Sequence, residues 1–393
     1  MKIALTCPAS LPATQFGGIL FLCVDIAKET AAENDVTIYT TDMDFANNPH
    51  TFNRELPKEE LINYFKIKRS HVWFAIRLFF VNPGMYFQMM KDSPDIIHAI
   101  GVRSFQSYIA AIISRKKRIP LIISDQGGLT THPELKNSGV FGKILYRLQT
   151  PMIRFIINQA SKIIVANDYE KEIFLEFANI TKIEKIRNGV NLPTLKITNN
   201  NFREKYKIDL PFALFLGRFS KIKGIDILLH AIKIIKNKPE LKNFRFVIMG
   251  VDFGFQNEMM KMIKKFGIED NIIVIKNPKR EEVISAYSES EFLILPSRWE
   301  LSPLTPLEGF AFKKPTISTN SHGIPSTITH NENGILVDSE DFNKLSESIL
   351  ELINNKEKCV KLGLSGYDLV QKECNSEIMV KKIMKVYEEI INK

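Results

Sequence analysis

Short apolar runs rich in isoleucine and valine recur along this chain, and longer segments with helical spacing of apolar residues lie between them. Such runs indicate strands buried on both faces, and the longer segments indicate helices that connect them. The predicted class is therefore α/β, with parallel sheets covered by helices. Helices are expected at 19–32, 225–236 and 342–353. The predicted strands are 3–6, 36–40, 96–98, 121–124, 163–166 and 183–186 in the first half, and 213–216, 246–249, 272–275, 292–295, 316–318 and 335–337 in the second.

The alternation of strands and helices restarts once, which predicts two successive doubly wound, Rossmann-like domains. A length of 393 residues also suits two hydrophobic cores better than one. The restart follows the polar stretch KITNNN at 196–201, which buries little apolar area and is typical of a linker. We predict an N-terminal domain at 1–195, a C-terminal domain at 196–375, and a last helix at 376–393 that packs back on the N-terminal domain.

The segment HVWFAIRLFFVNPGMYFQMM at 71–90 is unusually aromatic. We expect a core-facing helix broken at Asn82-Pro83-Gly84, and a helix lying on a membrane surface is the alternative, which can coexist with it. Three basic residues precede the segment, and further basic clusters occur at 115–118 and 143–147. Each cluster alone favours a solvated face over a lipid site. The three residues are Lys66, Lys68 and Arg69.

Composition and charge restrict the classes of function. Hydrophobic residues make up 45% and charged residues 25% of the chain, which is typical of a globular protein in water. The net charge of +9 indicates an anionic partner, which could be nucleic acid, a phosphorylated small molecule or an acidic membrane surface. Because zinc-finger spacing, an RNP-like motif and an arginine-rich tail are all missing, no nucleic acid partner is expected.

The location of the chain is expected to be cytoplasmic. No apolar run approaches the roughly 20 residues of a membrane-spanning helix, and the N-terminus MKIALTCPAS lacks the long apolar region of a signal peptide. The four cysteines form no CxxC pair, so reduced, buried thiols are predicted rather than disulfides or a metal site. They are Cys7, Cys23, Cys359 and Cys374.

Candidate chemistry follows the first strand of the second half, in the loop GRFSKIKG from Gly217 to Gly224. Arg218, Lys221 and Lys223 surround the predicted N-terminus of a helix, where the helix dipole disfavours cations unless an anion is bound. A phosphate group would resolve this conflict, and an ordinary basic surface loop is the alternative. The two glycines allow a tight turn or a close approach to a ligand.

A second loop, PSRWELSPLTPLEG at 296–309, follows the predicted strand at 292–295. Thr305, Pro306 and Glu308 fit the N-cap, first and third positions of a helix, which form a capping box. In that register the Glu308 carboxylate accepts backbone N–H groups at the start of its own helix.

A second register is open for the same loop. If Ser302 caps the helix and Pro303 is its first residue, Glu308 projects from the second turn. Glu300 has no capping role in either register. The two loops could together clamp a diphosphate between helix N-termini, with carboxylates free to accept hydrogen bonds from sugar hydroxyls.

These residues resemble a known family. Gly217-Arg218-x4-Lys223-Gly224, followed by Pro296-Ser297-x2-Glu300-x7-Glu308, resembles the donor site of glycosyltransferase family 4. The resemblance extends to PDIIHAIG at 94–101, IRNGVNLP at 186–193, FLGRFSKIKGIDILLHAI at 215–232 and KKPTISTNSHGIPSTI at 313–328. It implies the GT-B fold, in which two Rossmann-like domains face each other across a cleft.

The resemblance implies a retaining transfer of a sugar from a nucleotide diphosphate sugar to an acceptor. Arg218 and Lys223 would hold the diphosphate and stabilise the leaving group, since preorganised cations act most where charge develops. Glu308 would bind the ribose hydroxyls, and Glu300 would lie against the donor sugar. Because the two cations can do this alone, no metal ion or other cofactor is expected. Asp42-Met43-Asp44 has the letters of a metal-binding DxD pair, but it is not favoured as a metal site.

Further donor contacts are implied by the same resemblance. The backbone of Leu304 and Thr305 would meet the phosphates, and the loop from Lys276 to Pro278 would border the base. In the acceptor-binding N-terminal domain, Gly17-Gly18 resembles the first loop of the family near the donor phosphates.

The chain departs from the family pattern after the strand at 121–124. Many members have a histidine there, close to the transferred sugar, whereas this chain has Asp125-Gln126. Asp125 or Gln126 is expected to replace it by hydrogen bonding to the sugar, with capping of a turn or helix as the alternative for Asp125. His132 is the nearest imidazole and is not favoured, and His98 is expected to be a buried, hydrogen-bonded histidine.

The leading hypothesis is a glycosyltransferase that extends a lipid-linked or cell-surface glycan precursor, associated peripherally with the cytoplasmic face of the membrane. Basic and aromatic residues of the N-terminal half would contact the anionic membrane surface. The alternatives are a soluble transferase acting on a small sugar-phosphate or polyol acceptor, and a non-catalytic sensor that binds nucleotide sugars. A dehydrogenase and a P-loop NTPase are disfavoured, because GxGxxG does not follow a strand and GK[ST] does not occur.

Overall fold

The computed structural model describes residues 1–45, 50–125, 129, 139–195 and 201–392. The chain divides into two units, which we call unit 1, formed by Met1–Gly189 and Ser376–Lys393, and unit 2, formed by Val190–Asn375. The first division falls after Gly189, whereas the sequence placed it after residue 195. The predicted linker at 196–201 lies outside the described residues except for Asn201.

Unit 1 is built on an eight-stranded sheet of order β10-β9-β8-β7-β1-β2-β4-β3. Strand β3 runs antiparallel to β4, and the other described pairs of this sheet are parallel. A separate two-stranded hairpin is formed by β5 and β6. The strands of unit 1 are β1 Lys2–Thr6, β2 Asp35–Thr41, β3 Glu59–Ile62, β4 Phe65–Ser70, β5 Phe74–Ile76, β6 Phe79–Val81, β7 Ile96–Ile100, β8 Leu121–Ser124, β9 Lys162–Val165 and β10 Ile183–Lys185.

Unit 2 contains a six-stranded parallel sheet of order β13-β12-β11-β14-β15-β16. Its strands are β11 Phe212–Leu216, β12 Arg245–Gly250, β13 Ile272–Lys276, β14 Phe292–Leu295, β15 Thr316–Thr319 and β16 Gly334–Val337. The direction of winding reverses between β11 and β14. In open α/β sheets, ligands bind outside the carboxyl ends of the strands at such a switch point.

Helices lie between the strands of both sheets and cover their apolar faces. In unit 1 they are α1 Gly18–Thr30, α2 Gly84–Asp92, α3 Phe105–Lys117, α4 Gly139–Gln159 and α5 Asp168–Leu175. In unit 2 they are α6 Phe202–Tyr206, α7 Ile225–Ile235, α8 Gln256–Phe266, α9 Arg280–Glu289, α10 Leu304–Ala311, α11 Phe342–Asn354 and α12 Lys356–Lys372, and α13 Ser376–Ile391 returns to unit 1. Every predicted strand is present, and so are the helices predicted at 19–32, 225–236 and 342–353, which confirms the α/β class.

The aromatic segment at 71–90 differs from its prediction. A helix before Asn82 is wrong, because β5 and β6 form an antiparallel hairpin there, with the Trp73 N–H donating to the Val81 carbonyl at 2.8 Å. Arg77 has φ of 54° at the turn, which ends the first strand. Aromatic side chains fit a half-buried strand as well as a helix, so the composition of the segment did not decide between them. Helix α2 does begin at Gly84, where the sequence placed the break.

The basic cluster before the hairpin lies on β4, a strand that the sequence analysis missed. The Lys68 ammonium lies 2.6 Å from the Asp92 carboxylate, and the buried Arg69 guanidinium lies 2.7 Å from Glu60. Lys66 pairs with Asp35 at 3.3 Å. These cations therefore stabilise the edge of the sheet as ion pairs.

The core of unit 1 includes a polar contact between β7, β8 and α13. The His98 Nδ1 lies 2.7 Å from the Tyr387 hydroxyl, and its Nε2 lies 2.7 Å from the Ser124 hydroxyl. This confirms the expectation of a buried, hydrogen-bonded histidine. Burial disfavours the imidazolium and lowers the pKa of His98 to about 3.

The buried His98 predicts a specific loss of stability in acid. Below pH about 6.5 the His98 imidazole is protonated in the unfolded chain but stays neutral in the folded chain. The folded state is therefore destabilised progressively as the pH falls from 6.5 towards 3. The free energy of unfolding should fall by about 1.4 kcal/mol per pH unit from this group. Urea unfolding at pH 6.5 and 5 should show about 2 kcal/mol more loss in the wild type than in His98→Gln. Tyr387→Phe keeps the imidazole and should keep the slope; an identical slope in His98→Gln would contradict the prediction.

The four cysteines are buried and free, as predicted. Among the described residues, no helix is both long enough and apolar enough to cross a membrane.

Candidate functional site

Two loops meet at the switch point of unit 2, one after β11 at 217–224 and one after β14 at 296–303. The Arg298 N–H donates to the Ile222 carbonyl at 2.8 Å. Gly224 has φ of 68°, and a Cβ atom there would lie 1.9 Å from the Pro296 carbonyl oxygen. Only glycine fits both the conformation and the contact, so the tight turn expected at Gly224 is present.

A lysine and a glutamate from the two loops form an ion pair. The Lys223 Nζ donates to the Glu300 Oε1 at 2.5 Å, and the Ser297 hydroxyl donates to the same oxygen at 2.9 Å. The Glu300 side chain is only 10% exposed. The structure thus brings together two of the residues predicted for the site, at the carboxyl end of the sheet.

Arg218 is oriented by an aromatic ring from a third loop. Its guanidinium lies 4.7 Å from the centre of the Phe253 ring, within the range of a cation–π contact. Phe253 belongs to the loop after β12, which is held next to the β11 loop by backbone hydrogen bonds of Phe219. Its N–H donates to the Val251 carbonyl at 2.7 Å, and its carbonyl accepts the N–H groups of Phe253 at 3.1 Å and Phe255 at 3.2 Å. The sequence analysis missed Phe253.

The register of α10 settles the position of Glu308. The helix begins at Leu304, with Pro303 at the N-cap position and no side-chain cap. The predicted capping box at Thr305 is therefore wrong, and the register with Pro303 as first residue is one residue too early. Pro306 is the third helical residue. An N–H at this position has no intrahelical acceptor, so a proline there removes no helical hydrogen bond. Glu308 lies on the second turn.

Two residues of α9 hold the Glu308 carboxylate. The Arg280 guanidinium donates to Oε1 at 2.5 Å and the Tyr287 hydroxyl donates to Oε2 at 2.7 Å. Burial, together with the neighbouring carboxylate, raises the pKa of Tyr287, so its hydroxyl stays a donor. A carboxylate offers about four lone-pair sites, so Glu308 can accept further hydrogen bonds while held in this way.

Neither partner of Glu308 was predicted. Arg280 follows the end of β13 by four residues, and a search of all strand ends would have found it. Pro278, predicted to border the base, lies in the same loop, which is tied to β12 by the Asn277 N–H donating to the Gly250 carbonyl at 2.9 Å.

Arg298 ties the two loops to the start of α7. Its guanidinium donates to both Asp226 oxygens, at 2.7 and 2.9 Å, and to the Lys221 carbonyl at 2.5 Å. It also contacts both Glu340 oxygens, at 2.5 and 2.9 Å. Burial alone would lower the pKa of Arg298, but these hydrogen bonds raise it above its usual value. Arg298 was missed because Asp226 is 72 residues away in sequence.

Comparisons with known proteins agree with this geometry. The model described as Glycosyltransferase Family 4 matches residues 16–193, and the model described as Glycosyl transferases group 1 matches residues 198–368. An uncharacterized glycosyltransferase of Methanocaldococcus jannaschii is 32% identical over 310 residues, which are 76% of this chain and 79% of that protein. The chain belongs to glycosyltransferase family 4. It is a transferase that uses a nucleotide sugar.

Other similar proteins support the fold of this transferase. The capsular polysaccharide biosynthesis glycosyltransferase CapM of Staphylococcus aureus is 27% identical over 53% of the chain and 57% of CapM. Among solved structures, a sucrose-phosphate synthase from Thermosynechococcus elongatus has a TM-score of 0.78 at 19% identity, over 100% of this chain and 99% of that one. Anabaena HepE in complex with UDP-glucose has a TM-score of 0.74 at 16% identity, over 99% and 100%. These similarities show a GT-B fold with two Rossmann-like domains.

In unit 1 of the transferase, the predicted glycines lie at the start of a helix. Gly17 has φ of 101°, which favours glycine, and it occupies the N-cap position of α1, whose first residue is Gly18. Their contact with donor phosphates stays a prediction.

Asp125 of the transferase is buried. One carboxylate oxygen accepts the Val102 N–H at 3.1 Å and the other accepts the Leu129 N–H at 2.7 Å. This arrangement favours the alternative that Asp125 caps a turn, and its contact with the sugar stays a prediction. Gln126 and His132 lie outside the described residues.

The Asp42–Asp44 pair of the transferase also serves local structure. The buried Asp42 carboxylate is hydrogen-bonded to the His71 ring and accepts the Val72 N–H at 3.1 Å. Asp44 accepts a hydrogen bond from Asn53 at 3.1 Å. Both side chains hold neighbouring segments of unit 1.

Proposed function

We propose that this transferase is retaining and moves a sugar from a nucleotide diphosphate sugar to a lipid-linked or cell-surface glycan precursor at the cytoplasmic face of the membrane. The observation that supports binding of the donor is a pair of carboxylates at the switch point of one sheet, each in an ion pair. Glu300 is paired with Lys223 and Glu308 with Arg280. Cations beside carboxylates suit a ligand that has both phosphates and hydroxyl groups.

The diphosphate is proposed to bind between Arg218, Lys223 and the start of α10. The N–H groups of Leu304 and Thr305 occupy the first two helical positions, where helix geometry supplies no intrahelical acceptor. Negative charge develops on the leaving diphosphate as the glycosidic bond breaks, and two fixed cations stabilise that charge. We therefore propose that no metal ion is required, and activity should persist when EDTA is added.

The carboxylates are proposed to bind the two sugars of the donor. Glu308 accepts hydrogen bonds from the ribose hydroxyls, while Arg280 and Tyr287 keep it in place. Glu300 accepts hydrogen bonds from the transferred sugar, on a carboxylate that Lys223 and Ser297 position. The loop with Pro278 borders the base.

The identity of donor and acceptor draws on the similar proteins. UDP-glucose is bound in the HepE structure, so uridine nucleotides are the first donors to test. The name of CapM supports a surface glycan as the acceptor class. The similarity to a sucrose-phosphate synthase favours the second candidate, a soluble transferase with a small sugar-phosphate acceptor.

Thermal-shift screening with UDP-, GDP- and dTDP-sugars tests the donor site. A ligand present at 100 times its Kd should add about 2.7 kcal/mol of stability, and Glu308→Ala should abolish most of the shift. The absence of any response to these nucleotide sugars would count against the whole proposal.

Turnover and stereochemistry are tested separately. Slow hydrolysis of the donor that is lost in Arg218→Ala supports an enzyme, whereas binding without turnover supports a sensor. The anomeric configuration of the product, read by NMR, tests retention: an inverted product would overturn that part and leave donor binding intact. Transfer to a sugar phosphate in the absence of lipid would support the second candidate.

Tyr287→Phe offers a finer prediction for the ribose contact. Loss of one hydrogen bond of about 1 kcal/mol should raise the Kd for the nucleotide sugar roughly fivefold. The penalty should shrink for a donor with 2′-deoxyribose, which lacks one of the hydroxyls that Glu308 would bind. Calorimetry measures both, with Tyr367→Phe in the same unit as the control. An equal penalty for the two donors would place the ribose elsewhere.

A further inference from the structure

The hairpin of β5 and β6 is buried on the face that carries Phe80. On the opposite face the β5 residues Phe74 and Ile76 are exposed, whereas Val81 is buried and the Phe79 ring centre lies 6.1 Å from that of Phe105. Phe74 pairs with Val81 and Ile76 with Phe79, so the intervening Phe80 points to the opposite face. Phe80 is fully buried, and its ring centre lies 6.2 Å from that of Phe16. A second ring, that of Phe52, lies 5.6 Å from it. The hairpin is therefore anchored firmly in unit 1 through its inner face.

Strand β5, the residue before it and the turn present large apolar side chains to water. The exposed fractions are 72% for Trp73, 54% for Phe74, 49% for Ile76 and 44% for Leu78. A contiguous apolar patch of this kind on a folded protein marks a surface that binds a protein or a membrane. Three more exposed apolar residues occur in the flanking sequence, Leu61, Tyr64 and Phe87.

Charge favours a membrane over a protein as the occupant. Residues 61–91 contain no aspartate or glutamate, and the exposed Arg77 lies at the tip of the hairpin between Ile76 and Leu78. The three cations of β4 are paired with carboxylates from other segments, so Arg77 carries the charge of the patch. Tryptophan and phenylalanine beside an arginine suit the boundary between anionic headgroups and acyl chains.

We propose that the hairpin Trp73–Val81 docks this protein on an anionic lipid surface. Trp73, Phe74, Ile76 and Leu78 would enter the interfacial region, and Arg77 would contact the lipid phosphates. The inner face of the hairpin packs on Phe16, which directly precedes Gly17 and Gly18. The hairpin therefore packs against the residue that precedes the N-cap of α1. The inference deepens the proposed function, on which it rests for the lipid-linked acceptor.

The two tryptophans of the chain provide a direct readout. Trp73 is 72% exposed, whereas Trp299 is 7% exposed in unit 2, so a change of emission reports mainly on the hairpin. The full chain is mixed with vesicles of phosphatidylglycerol and phosphatidylcholine, or of phosphatidylcholine alone. We expect a blue shift and flotation with the anionic vesicles, weakened by salt and much smaller with phosphatidylcholine.

Two variants separate the apolar and charged contributions. Phe74→Ser/Ile76→Ser/Leu78→Ser keeps Trp73 and should lower vesicle partitioning at least tenfold. Arg77→Glu should reduce binding to anionic vesicles and leave the weak binding to phosphatidylcholine unchanged. The matched control replaces three exposed apolar residues of unit 2 and should bind like the wild type. It is Met260→Ser/Val360→Ser/Leu364→Ser.

Equal flotation of the triple hairpin variant and the wild type would overturn the proposal, as would the absence of a blue shift with anionic vesicles. Concentration-dependent dimers in sedimentation, lost in the triple variant, would assign the patch to a second copy instead. The thermal shift with nucleotide sugars is measured on the same samples. A chain that responds to the donor but not to vesicles fails this inference alone, and a chain that binds vesicles without responding to any donor fails the proposed function alone.

Discussion

Replacement of Lys223 by alanine should lower kcat/KM by about 10²–10³-fold, the usual cost of removing one group that stabilises developing negative charge. The loss has two sources. The leaving diphosphate loses a cation, and the Glu300 carboxylate, 2.5 Å from the ammonium, is left beside the growing charge without its counter-ion. Because this charge is largest in the transition state, the change should fall mainly on kcat.

Steady-state kinetics with saturating acceptor measures this effect. Lys221→Ala is the matched control, since this exposed lysine lies two residues away and Arg298 and Gly224 contact its backbone carbonyl, which the substitution keeps. It should change kcat/KM less than about threefold. If Lys223→Ala raised KM alone and left kcat intact, the lysine would bind substrate without acting on the leaving group.

Arg298→Ala should destabilise unit 2 by about 2–4 kcal/mol. Removing one partner of a buried ion pair costs roughly 3–5 kcal/mol, because it leaves the other charge unpaired. The side chain of Asp226 is 16% exposed and that of Arg298 is 22% exposed, so solvent screening reduces the figure. Activity should also fall about tenfold or more, because the start of α7 and the loop with Glu300 lose their common tie.

Chemical denaturation of Arg298→Ala measures the loss of stability. Enzyme kinetics at denaturant concentrations below the unfolding transition then measure the loss of activity separately. Arg298→Lys should recover only part of the stability, because an ammonium cannot make the bidentate contact with Asp226. Arg298→Ala/Asp226→Ala should be less destabilised than the sum of the single variants. Glu340 is 54% exposed, so Glu340→Ala should cost less than about 1 kcal/mol. If Glu340→Ala lowered the free energy of unfolding as much as Arg298→Ala does, Glu340 rather than Asp226 would be the stabilising partner of Arg298.

The parts of the fold that were predicted are those with a strong periodic signal. Parallel strands such as β7 and β12 are buried on both faces, so they occur in the sequence as almost continuous apolar runs. Strand β4 was not predicted although Phe65 and Ile67 alternate with Lys66 and Lys68, because a short run of lysines also fits a solvated basic cluster. The hairpin was missed because a segment that is aromatic throughout satisfies both helical and strand spacing.

The residues of the candidate site that belong to local sequence motifs could be predicted, but their partners from other loops could not. Arg218, Lys223, Glu300 and Glu308 follow strand ends and stand in motifs with recognisable spacing. Their partners depend on which strands are neighbours: β11 lies between β12 and β14, and this order is not written in any local stretch. Contacts such as those of Arg280 and Tyr287 with Glu308 become visible only once the sheet is assembled.

The return of α13 to unit 1 has a consequence for biosynthesis. His98 is synthesised early, but its hydrogen-bond partner Tyr387 is synthesised only after the whole of Val190–Asn375. At about 5–20 residues per second this delay is roughly 10–40 s. During that interval unit 2, which is continuous in sequence, can complete its folding before α13 is available to unit 1.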